Sequence, residues 1–174
     1  MVKGIKKLSI EKAMEKRFST RKKQDLHRLK RVGLIVDADA AEVEKLQSKL
    51  LSVFSLSKNQ LSSLIFKENK EQEKEQEIYF SEKDFTWRGR LKKESKLNEF
   101  LAQDFDLLIN YFSEDKLVLH WVSASAEAKL KVGLANEEKR LNDIEIVVKE
   151  EEIELFMSEL KKYVNIITDS WKNL

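Results

Sequence analysis

The 174-residue chain has no cysteine, no proline, only four glycines and only two histidines, and each shortage removes a class of function. Without cysteine there can be no disulfide, no thiolate metal site and no cysteine nucleophile. The same absence favours the cytoplasm, because small secreted domains commonly rely on cross-links. His27 and His120 alone are too few for histidine-based zinc chemistry, and no metal or cofactor is expected. The glycines at 4, 33, 89 and 133 lie too far apart to build a GxGxxG turn or a phosphate-binding loop. The lack of proline removes X-Pro isomerisation from folding. Long apolar runs are missing as well. The richest stretch, residues 105–112, is interrupted by Asp106 and Asn110, well short of the ~20 residues that cross a bilayer. No apolar segment of about 7–15 residues follows the first lysines, so a secretory leader is not expected.

What remains is enough for a core. Hydrophobic residues make up 41% and charged residues 37%, too much apolar material for a disordered chain and an unusually charged exterior for a folded one. The length suits one domain. Charge is unevenly distributed. Residues 1–31 carry twelve basic side chains against three acidic ones, a net of +9; the rest carries twenty-one against twenty-eight, a net of −7. The overall +2 therefore hides a basic arm, 1–31, on an acidic body, 32–174. A one-signed segment attracts polyanions at long range.

Periodicity assigns the elements. Ile10, Met14 and Phe18 recur at i, i+4 in the arm, which predicts a helix, with Ser19-Thr20 as a break and Leu26 and Leu29 as a second short stripe. Val32 to Val36 is a continuous apolar run, the pattern of a strand buried on both faces. Val43 to Phe54 has helical spacing and Leu61 to Phe66 reads as the next strand, so a βαβ unit opens the body. The apolar-free stretch 67–77 reads as a solvated loop. Beyond it come a short strand at 78–80, a turn-rich link at 84–89 and a helix over 91–102. A strand at 105–112, a helix at 117–126, strands at 129–134 and 144–148, and a long helix over 151–171 complete the chain. The expectation is a three-layer α/β sandwich with a mostly parallel sheet of five or six strands, plus an N-terminal basic helical extension.

In open sheets of this kind ligands bind at the carboxyl ends of the strands. The candidate cleft is accordingly rimmed by Asp37, Asp39, Asn110 and Asn142, with Ser123 and Ser125 on the helix that follows the fourth strand. Asp37-x-Asp39 resembles an aspartyl nucleophile with a magnesium site, but no second acidic pair ends a later strand, so capping of the next helix is the favoured reading. Ser123 has His120 one turn away, yet no acid in a recognisable pattern orients that histidine. The three tryptophans are dispersed and read as packing residues rather than a stacking platform. No catalytic residue is expected.

The lysine-rich start, the VGLIVDAD strand, DFTWRG around Trp87, FDLLINYF, SASAEAKLKVG from Ser123 to Gly133, and NDIEIVV before an ELKKYV helix form an ordered set. With these motifs the chain resembles an uncharacterised bacterial family, typical of Bacteroidota and known only as a domain of unknown function. The resemblance spans most of the chain and implies a fold without an activity. FDLLINYF, the following helix and AKLKVGL are also similar to part of the N-terminal half of bacterial heptosyltransferases, whose second, nucleotide-sugar domain this length cannot hold.

The arm therefore carries the functional expectation: a non-enzymatic protein whose Lys6, Lys7, Lys12, Lys16, Arg17, Arg21, Lys22, Lys23, Arg28, Lys30 and Arg31 contact RNA, the ribosome or an acidic protein. A small enzyme or ligand sensor working at Asp37 is the alternative, and a peripheral membrane-surface protein ranks third, because the arm's apolar stripe is short and lacks tryptophan.

Overall fold

The structure is a computed structural model. It describes residues 2–69, 73–75 and 77–172, so residues 70–72 and 76 of the expected 67–77 loop, and the side chain of Trp171, lie outside it. Six strands, β1 (Val32–Asp37), β2 (Leu61–Phe66), β3 (Ile78–Phe80), β4 (Asp104–Tyr111), β5 (Glu127–Leu134) and β6 (Ile144–Ile146), form one sheet in the order β3-β2-β1-β4-β5-β6. Every pairing is parallel. The apolar run of β1 is buried throughout because it lies near the centre of a sheet covered on both faces.

Side chains alternate between two cores. Helices α1 (Val2–Thr20), α3 (Leu97–Leu101) and α4 (Leu117–Ser125) cover one face, with Ile10, Met14, Phe100 and Trp121 packed against Ile35 and Leu108. Helices α2 (Val43–Val53) and α5 (Ile153–Lys172) cover the other, where Leu46, Leu50, Phe156 and Leu160 meet Leu34, Val36 and Ile109. The apolar face expected for the last helix, from Ile153 through Val164, is the face that packs. Gly33 and Gly133 stand where the neighbouring strand comes close. A Cβ at Gly33 would lie 2.8 Å from Leu108 Cδ1, and one at Gly133 would lie 2.5 Å from the Asn110 carbonyl oxygen.

Two segments depart from the sequence expectation, both because of long-range polar ties. The helix expected over 91–102 shrinks to α3. Leu91 bridges antiparallel to Phe85, and Lys92 N donates to the Asp84 carbonyl. The Asp84 carboxylate accepts from Ser95 Oγ at 2.7 Å and from Ser81 N at 2.8 Å, which fixes an irregular backbone. The second stripe of the arm is not helical either. Residues 21–31 form a coil that seats Leu26 in the α2–α5 core and turns Lys30 N and Arg31 N onto Asp106 Oδ2 at 2.8 and 3.0 Å. Those amides are committed to a carboxylate and cannot serve a helix.

The arm is thus part of both cores: Ile10 and Met14 on one side, Leu26 on the other. Ile10→Ala is expected to cost about 2–5 kcal/mol, the usual range for such a buried truncation. Urea denaturation measures it, and an unchanged midpoint would mean that α1 does not dock in solution.

Candidate nucleic-acid interface

The basic residues of the arm divide into two groups. Some are consumed in holding the arm down. Arg21 forms a two-pronged bond to Asp143 at 2.8 and 2.7 Å, Lys6 pairs with Glu82, and the Arg17 guanidinium lies 5.5 Å from the Trp121 ring centroid. Lys7 makes only an i, i+4 contact with Glu11 at 3.8 Å. A bidentate Arg–carboxylate pair fixes orientation as well as charge, so the end of α1 is clamped to the residues just before β6.

The remainder face water. Lys12, Lys16, Lys22, Lys23, Arg28, Lys30 and Arg31 are exposed and have no ion-pair partner among the described residues. Five of them sit on the coil that passes beneath the amino-terminal edge of the sheet. There Gln24, Lys30 and Arg31 line a groove with Asp104, Asp106, Glu127 and Lys129. Asp106 is tied up by Lys129 Nζ at 2.8 Å and by the two arm amides. Although burial opposes its charge, those bonds outweigh burial and hold its carboxyl below the usual range. Asp25, Asp104 and Glu127 share this edge, and the arm's cations outnumber them.

The carboxyl edge is a different place. Asp37 ends β1 at the boundary between β1 and β4, where the winding of the sheet reverses and ligands bind in open α/β sheets. Its carboxylate is 1% exposed and accepts from Lys116 Nζ at 2.5 Å and from Asp39 N at 3.0 Å. Burial raises its pKa by more than these donors lower it. Burial also opposes charge on Lys116, but bonds to Asp37 and Glu114 prevail and keep its pKa above the ordinary lysine value. The expected helix cap is not formed. Glu42 is the residue before α2 and makes no side-chain cap, while Asp37 closes the turn after β1 by accepting from Asp39 N and, through its carbonyl, from Ala40 N and Ala41 N. Sequence reasoning missed Lys116 altogether. The available signal was a carboxylate at the end of an all-apolar strand, which requires a cation from elsewhere.

The six cleft candidates do not converge. Asp37 and Asp39 stay together at the carboxyl edge. Asn110 donates to Asn142 Oδ1 at 2.8 Å, forming a separate pair against Gly133. Ser123 and Ser125 lie at the far end of α4, next to the start of β5, and both hydroxyls are buried without a hydrogen-bond partner. An acid does approach His120, with Asp115 Oδ1 3.5 Å from Nδ1. Burial nevertheless lowers the histidine's pKa by more than its acidic neighbours raise it. Since no bond links Ser123 Oγ to the ring, this helix assembles no nucleophile–base pair. No group of three or more His, Cys, Asp or Glu suited to a metal occurs among the described residues. No helix among them is long and apolar enough to cross a membrane.

These features define a doubly wound parallel α/β domain with a basic helix and coil built into its framework. The chain belongs to the family of unknown function DUF6913, whose match covers residues 5–167 and so includes most of the arm. No curated protein and no solved structure matches it.

Proposed function

We propose that the protein is a non-enzymatic RNA-binding protein that contacts the phosphate backbone through its arm. One observation carries this reading: Lys22, Lys23, Arg28, Lys30 and Arg31 project from a coil whose backbone is anchored by Leu26 and Asp106, and none has an ion-pair partner among the described residues. Cations held on a fixed backbone neutralise phosphates without first ordering the chain, and a protein does so with a strong dependence on salt. At the Asp37 cleft, by contrast, Lys116 already occupies the carboxylate that a small ligand would seek. The acidic body suits a scaffold that leaves only the arm's surface attractive to polyanions.

Truncating the arm would be a poor test, because it removes Ile10, Met14 and Leu26 from the cores. Replacing the five exposed side chains with Gln leaves every bond described above intact. This variant should unfold at the wild-type urea concentration yet bind single-stranded RNA at least tenfold more weakly in low salt. Its plot of log K against log[salt] should flatten by about 0.7 for each phosphate that is no longer neutralised. Equal affinity in the two proteins, or wild-type binding indifferent to salt, would sink the proposal.

A further inference from the structure

The DFTWRG segment folds into a tight hairpin. Phe85 bridges Leu91, Thr86 N donates to Arg90 O at 2.8 Å, and Gly89 N donates to Thr86 O at 2.9 Å. Gly89 has φ +74°, which a side chain would strain, and it faces α1 so closely that a Cβ would lie 2.7 Å from the Lys6 carbonyl oxygen. Phe85 anchors the base of the hairpin, edge-on to Trp121 with ring centroids 5.1 Å apart. Trp87 and Arg88 therefore occupy the two central turn positions and point away from the core. Trp87 is 54% exposed, and the Arg88 guanidinium lies 4.6 Å from its ring centroid.

The hairpin meets α1 beside Ser9. Residues 9, 12 and 16 share one side of a helix, and Lys16 is about 10 Å beyond Ser9 along the axis. Lys12 and Lys16 are exposed there and unpaired among the described residues, and Arg90 is exposed on the hairpin. An outward-held indole, partly covered by a guanidinium and followed by two lysines along a rigid helix, combines a stacking surface with phosphate partners.

We propose that this surface binds single-stranded RNA, with an unstacked base on the Trp87 ring and the adjoining phosphates on Lys12 and Lys16. The inference rests on the RNA reading above and deepens it by specifying the strand state. A duplex keeps its base faces covered, whereas an unpaired base offers a π-face to an aromatic ring whatever its sequence.

The test uses the full chain and fluorescence anisotropy with a labelled oligouridylate and with an RNA duplex of equal length. Trp87→Ala should weaken oligouridylate binding about 5- to 150-fold, the loss typical of one stacked base. Duplex binding and the urea midpoint should be unchanged, and Trp87→Phe should restore most of the affinity. If Trp87→Ala binds oligouridylate like wild type while the five-Gln variant does not, the stacking site is refuted and the RNA reading stands. If wild type binds no RNA in low salt, both fall. Vesicles of phosphatidylcholine with 30% phosphatidylserine provide a further arm, at roughly the charge of an anionic leaflet. Trp87-dependent binding to these vesicles without binding to oligouridylate overturns the proposal in favour of a lipid surface.

Discussion

Between pH 7 and pH 10 the folded protein is expected to gain stability, by as much as about 4 kcal/mol, because of one interior lysine. Lys131 stands in β5 with 2% of its surface exposed, and its ammonium group donates to the Ser123 carbonyl at 2.6 Å. Its pKa is lowered to about 7, chiefly by burial and then by Arg21 and Arg17, against the pull of Glu127 and Asp143. The unfolded chain holds that proton up to the ordinary lysine value of 10.5. Across the interval the unfolded state binds more protons than the folded one, so stability rises with pH, at about 1.4 kcal/mol per unit at most. Below pH 7 both states are protonated and this contribution is flat. Above pH 10 the trend reverses, since burial pushes Tyr111 well above the usual tyrosine range and the unfolded tyrosine ionises first. Urea midpoints at pH 7, 8, 9 and 10 measure the effect. Lys131→Met should abolish the rise and be the more stable protein at pH 7. A wild-type curve as flat as that of the variant would show that Lys131 is not held in an apolar interior.

Lys116→Met is the second large effect. It leaves the Asp37 carboxylate buried with the Asp39 backbone amide as its remaining donor among the described residues, and an abandoned interior charge typically costs about 3–5 kcal/mol. Asp37→Asn alone should cost less, because the Lys116 ammonium is partly exposed and can turn to Glu114 or to water. Combining the two should recover stability relative to Lys116→Met. The readout is the coupling energy of the double-mutant cycle. Purely additive losses would mean that the pair contributes nothing and that the carboxyl is neutral in the folded state.

Sequence reading succeeded where burial imposes a pattern. β1 stands out as an unbroken apolar run, and α5 as a stripe of period near 3.6, because a residue's face within its own element decides its neighbours. It failed where one polar side chain overrides local propensity from far away. Asp84 breaks the start of the α3 segment, and Asp106 straightens residues 30–31 across 76 positions of chain. Lys116 reaches Asp37 across 79 positions, and no local spacing records that pairing. Trp87, read from the sequence as a packing residue, is instead 54% exposed, because Gly89 closes a turn whose central side chains face outward. What sequence could not give was the helix on which that turn rests.

The clamp between Arg21 and Asp143 has a consequence in time. The two residues are 122 positions apart, and α1 also depends on Trp121 and on the Glu15–Arg140 pair. At translation speeds of about 5–20 residues per second, roughly 6–24 s separate synthesis of the arm from synthesis of its last seat. During that interval the arm's partners in the body emerge one after another, Glu82 first, then Trp121, then Arg140 and Asp143, so the arm's seat is complete only at the end. The nascent arm is therefore more cationic towards its surroundings than the finished protein, and completing the acidic body is what withdraws part of that charge.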